Sequence, residues 1–119
     1  MTVTRQIETT ETSSTKGGLR YRFGRYAGAD GRWVRHGEFR AFYADGTPAS
    51  EGTYADGLES GPWKDFHANG KLAASGNFEG GKEHGAWSYY ATDGELEETV
   101  EYDHGVELKR PKRRTRRAG

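Results

Sequence analysis

The chain has 119 residues with 18 Lys or Arg against 18 Asp or Glu and is only 32% hydrophobic, which bounds it to one domain with a lean core. Its large apolar residues are mostly aromatic, seven Tyr, five Phe and three Trp against five Leu, four Val, one Ile and one Met, so a thick aliphatic core is excluded. Cysteine is absent, which excludes a disulfide framework and any thiolate ligand or nucleophile. No signal-type apolar segment and no run of about 18 apolar residues occurs, so a cytoplasmic chain is expected.

Residues 1–18, MTVTRQIETTETSSTKGG, are rich in Thr, Ser and Glu and read as a disordered lead-in. From Leu19 the pattern turns to strict alternation, Leu19, Tyr21 and Phe23 against Arg20 and Arg22, which predicts a strand. Gly24-Arg25-Tyr26 echoes Gly52-Thr53-Tyr54, with an enlarged turn around Ala29-Asp30-Gly31. Residues 19–36 are therefore expected to form a degenerate half-repeat that caps a stack of repeats beginning at Gly37. Trp33, displayed between Arg32 and Arg35, is a candidate contact residue; covering the first hairpin is its alternative role.

From Gly37 to Gly105 one pattern is written three times at a spacing of 24 residues. Gly37, Gly61 and Gly85 open units 37–60, 61–84 and 85–108; Phe39, Trp63 and Trp87 follow, then Phe42, Phe66 and Tyr90. Asp45-Gly46, Asn69-Gly70 and Asp93-Gly94 keep the same phase, as do Tyr54, Phe78 and Tyr102. Such self-similarity means stacked identical units. Asp-Gly or Asn-Gly between two aromatic-bearing segments predicts a type I′ hairpin turn. In the second strand Leu72, Ala74, Gly76 and Phe78 are expected on one face, with Ala73, Ser75 and Asn77 on the other. Trp63 and Phe66 are three apart, so either a bulge intervenes or both faces are partly covered. A second turn, Ala55-Asp56-Gly57 or Glu79-Gly80-Gly81, leads into the next hairpin. The predicted fold is all-β: a single open, elongated antiparallel sheet of stacked hairpins. Each ring contributes roughly 1.5–3 kcal/mol of burial against its equivalents in neighbouring units.

These residues resemble the MORN repeat family, and more closely its bacterial variant, the YwqK-like antitoxin repeats. The match is carried by GPWKDFHANGKLAASGNFEGGKEHG, Gly61 to Gly85, and by its counterparts in the other units. The resemblance implies an elongated sheet of stacked hairpins and a binding or scaffolding task, in the YwqK-like case that of an antitoxin or immunity-like protein. The wider family implies an alternative, a scaffold associated with membrane or nucleic acid.

Zero net charge conceals segregation. Residues 16–40 hold seven Lys or Arg against two acids, residues 41–108 three Lys against fourteen acids, and residues 109–119 seven basic residues and no acid. An acidic plate suits a protein partner with a basic surface, such as a toxin, by steering and complementarity, and repels nucleic acid. The contact candidates are Trp33, Tyr43, Glu59, Trp63, Asp65, His67, Glu83, Trp87 and Tyr89, with the free face left open. The tail, Lys109, Arg110, Lys112, Arg113, Arg114, Arg116 and Arg117, is expected to be disordered. It offers contact with anionic membrane, nucleic acid, an acidic partner or the sheet itself. Open sheet edges also permit self-association.

Catalytic chemistry is not in prospect. His36 and His84 share one phase two units apart, roughly 19 Å at about 4.8 Å per strand, too far to share a metal. No Ser–His–Asp order, carboxylate pair or phosphate loop stands out. The expectation is a non-enzyme with no metal or cofactor.

Overall fold

A computed structural model describes residues 6–13 and 18–108. The ten strands are β1 (Glu8–Ser13), β2 (Arg20–Ala27), β3 (Trp33–Phe42), β4 (Pro48–Ala55), β5 (Leu58–Glu59), β6 (Gly61–Phe66), β7 (Leu72–Glu79), β8 (Lys82–Tyr90), β9 (Leu96–Asp103) and β10 (Val106–Glu107). They form one antiparallel sheet in chain order, β5 pairing the end of β4 before β6 continues along it. The body measures 59 × 36 × 20 Å, so the fold is the all-β, open, elongated sheet of stacked hairpins that the repeat predicts.

The lead-in is corrected. Residues 8–13 are not disordered but pair with β2 from Glu8 opposite Arg25 to Ser13 opposite Arg20. ETTETS has no apolar stripe, yet its Thr residues are strand formers and its acids meet arginines, Arg25 to Glu8 at 2.9 Å and Arg22 to Glu11 at 3.1 Å. Residues 1–5, 14–17 and the basic tail lie outside the described residues. Residues 19–36 are not a separable unit, since β3 runs through Gly37. The enlarged turn at Asp30-Gly31 is the same loop as the ones inside the units: Gly28 N–H donates to Arg32 O and Arg32 N–H to Asp30 Oδ1.

The expected type I′ geometry at the Asp-Gly and Asn-Gly turns is corrected. At Asp45-Gly46, Asn69-Gly70 and Asp93-Gly94 only the glycine has positive φ, as in the three-residue hairpin loop with a bulge glycine. Tyr43 N–H bonds Thr47 O and Gly46 N–H bonds Tyr43 O. The Asp or Asn is there because its side chain accepts the N–H two residues on, at 2.9–3.0 Å in all three loops. The paired positive φ of a type I′ turn falls in the second turn instead, at Asp56-Gly57 (48°, 91°), Gly80-Gly81 and His104-Gly105.

A bulge does separate Trp63 from Phe66, but it sits on the partner strand. Asp65 pairs Ala74 whereas Phe66 pairs Leu72, leaving Ala73 as the extra residue. The same shift recurs after Ala41 and after Tyr89. It moves Leu72 and Leu96 off the face of Ala74 and Val100, which corrects the expected apolar stripe; Leu96 is 57% exposed. The core is therefore one face only, centred on Phe23, Phe39, Ala41, Trp63, Ala74 and Trp87, with Tyr21, Tyr54, Phe78, Tyr89 and Tyr102 partly buried beside them. Its rings form a ladder, Phe39 to Trp63 at 5.5 Å, Trp63 to Phe78 at 5.3 Å and Phe78 to Trp87 at 5.0 Å. Each indole lies on a glycine: a Cβ at Gly76 would stand 2.2 Å from Trp87, and one at Gly52 2.1 Å from Trp63.

Candidate functional site

Residues opposite one another in an antiparallel pair share a face. Glu59 faces Tyr54, Glu83 faces Phe78 and Glu107 faces Tyr102, which puts a carboxylate on the aromatic side of the sheet every 24 residues. At the first position of this row, within β3, stands Arg35, whose guanidinium lies 4.5 Å from the Phe23 ring centroid and 5.4 Å from that of Tyr54. Trp33, two residues earlier in β3 and so on that same side, is 52% exposed beneath the guanidinium of Arg25, 3.8 Å from its ring. The aromatic face thus has a cationic end and an acidic flank.

The structure gathers Trp33, Glu59, Asp65, Glu83 and Tyr89 on this face, but not all as contact residues. Trp63 and Trp87 are 8% and 3% exposed, so their assignment as contacts is corrected: they are the core. Their indole N–H groups are used internally, by Asp65 Oδ1 at 3.3 Å and Asn77 O at 2.9 Å. Asp65 also accepts from Ser50 Oγ at 2.6 Å, which fixes it under Trp63. Tyr89 is pushed above the ordinary tyrosine range, first by burial, then by its hydrogen bond with Tyr102 and by the charges of Glu83 and Glu98, so its hydroxyl stays neutral. Tyr43 and His67 belong to the loops: the Tyr43 hydroxyl donates to Phe66 O and His67 Nε2 to Tyr90 O, tying each loop to the next. Asn69 reaches Thr92 O in the same way. Sequence reasoning missed Arg35 and Glu107; the 24-residue phase that links 35, 59, 83 and 107 was the available signal.

The histidines need a further correction. His36 Nδ1 accepts the N–H of Asp56 at 2.9 Å, and His84 Nδ1 that of His104 at 3.1 Å, the same service to two type I′ turns. Comparing residues of equal phase concealed that His84 and His104 are neighbours across the β8–β9 hairpin, their rings 4.2 Å apart. His104 Nδ1 lies 2.7 Å from Asp103 Oδ1 and its Nε2 2.6 Å from Glu79 Oε1. These two contacts, Asp103 first, raise its pKa. On the aromatic face Asp65, Tyr89 and the two buried indole N–H groups are thus engaged within the sheet.

The family model described as MORN repeat variant matches residues 35–56, 59–79 and 83–104. Comparison with curated proteins and with solved structures gives no match. The three matched stretches follow the three observed hairpins and together span more than half of the sequence, so the chain belongs to the MORN repeat variant family.

Proposed function

We propose that the chain is a non-catalytic protein-binding module whose aromatic face covers a basic surface of a protein partner, acting by occlusion as a toxin-neutralising antitoxin or immunity-like protein. The observation that carries this reading is the row Glu59, Glu83 and Glu107 set against half-buried Tyr54, Phe78 and Tyr102. Carboxylates beside partly exposed rings suit Lys and Arg side chains, whose aliphatic stems lie on the rings while their charges meet the acids. Among the described residues the opposite face carries no such carboxylate row; Glu51, Lys64, Ser75, Ser88 and Thr99 follow one another across it.

The test is binding of the purified product of the adjacent gene to the intact chain and to a Glu59→Lys/Glu83→Lys double variant. A loss of at least about tenfold, or ~1.4 kcal/mol, is expected there, with little change for Glu51→Lys on the other face. Equal losses from both faces would refute occlusion by the aromatic side.

A further inference from the structure

We propose that Glu79, His84 and His104 form a binding site for a divalent transition-metal ion at the turn end of the last two units. One ligand atom from each of the three side chains lies within 4.8 Å of the others. Two imidazole nitrogens and a carboxylate oxygen make a three-ligand set with an open fourth position, a chemistry that suits Zn²⁺ and also takes Ni²⁺ or Cu²⁺.

The repeat itself supplies the control. The turn position of His104 is held by Asp56 and Gly80 in the preceding units, so the turn does not require an imidazole. His104 stands there with φ +47°, in the left-handed conformation that His, like Asn and Asp, adopts more readily than other non-glycine residues. In the earlier turn that His36 serves, the residues 48 places before His104 and Glu79 are Asp56 and Gly31, and no comparable triad of ligands forms among the described residues. The triad is thus a departure from the repeat, confined to one place.

The orientation of His104 also favours coordination. Asp103 holds Nδ1 at 2.7 Å, which leaves Nε2 aimed at Glu79 Oε1. A carboxylate on the remote nitrogen is the arrangement that orients metal-ligating histidines and raises their basicity. Bonds of about 2.0–2.2 Å to each ligand require these half-exposed and exposed side chains to turn by a small amount. Coordination replaces the hydrogen bond between His104 and Glu79 and the one from His104 N–H to His84, and the Nε2 proton leaves to solvent. The ion then links the Glu79 turn to the His104 turn.

The experiment titrates chelator-treated full-length chain with Zn²⁺, and separately with Ni²⁺, by calorimetry, and follows the thermal midpoint. One ion per chain and a raised midpoint are expected. His104→Asn, which retains a residue compatible with the left-handed turn, and Glu79→Gln, on an exposed side chain, should each weaken binding at least about tenfold. His36→Asn should leave it unchanged. Absence of saturable one-to-one binding, or equal affinity in His104→Asn and His36→Asn, would overturn the site.

Discussion

Gly70 and Gly76 show two reasons for glycine a few residues apart. Gly70 has φ +92° with open space where a Cβ would stand, so Gly70→Val strains the backbone without touching a neighbour. Gly76 has ordinary φ but lies under Trp87, so even Gly76→Ala drives the indole off its seat. Overpacking of that kind costs about 1–3 kcal/mol, and Gly76→Ala should lower the thermal midpoint more than Lys64→Ala, an exposed control. Equal midpoints for these two would sink the close-packing account; Gly70→Val should also fall below the control. At His104 the raised pKa fixes the sign of a pH effect. Its interaction with Asp103 and Glu79 stabilises the fold fully below the ordinary histidine value of 6.5 and is lost as pH rises through the raised folded value. In chelator-containing buffer, NMR titration should place His104 above 6.5, and Asp103→Asn should bring it down; a wild-type value at or below 6.5 would contradict the contact. None of these roles is legible residue by residue. Trp63 reads as a displayed anchor because nothing in its local pattern says that Gly52 receives it, whereas the repeat phase alone places every ring of the ladder.

At the scale of elements, the hairpins are legible because turn dipeptides and aromatic phase recur three times, and redundancy overrides local ambiguity. Faces are less so: one extra residue such as Ala73 reverses the alternation, and only the register reveals it. β1 is hidden in the sequence because its stabilisation is pairwise, Glu8 with Arg25 and Glu11 with Arg22, and no apolar period announces it. Deleting residues 1–13 should therefore expose the edge of β2 and remove the contact of Ile7 at Gly24. A loss on the order of 1 kcal/mol, or roughly 4–8 °C in midpoint, is expected, with a shift toward larger species in size-exclusion chromatography. An unchanged midpoint and elution would show that β1 contributes nothing. A cut at residue 37 is a harsher change than the repeat boundary implies, since it severs β3 within its own length.

For the whole molecule, the acidic stretch 41–108 and the basic tail 109–119 separate the two functional readings. If the sheet recognises the partner, the 1–108 chain should keep partner affinity within about tenfold, because remote charges act mainly on association rate and salt dependence. Salt-titrated binding of full-length and 1–108 chains to nucleic acid and to anionic vesicles gives the contrast: weak binding by both is expected, and tight, salt-sensitive binding that vanishes with the tail would favour the scaffold alternative. The strand order has a further effect. Because pairing runs along the sheet in chain order apart from the short β5, the β1 and β10 ends do not pair with each other among the described residues, and the sheet opens like a zipper from either side. Amide exchange should then be slowest in β6, β7 and β8 and quicken outward in both directions. The β10 end, held by two paired residues, should release first, so a partner that grips the acidic end would be felt as slowed exchange far along the ladder.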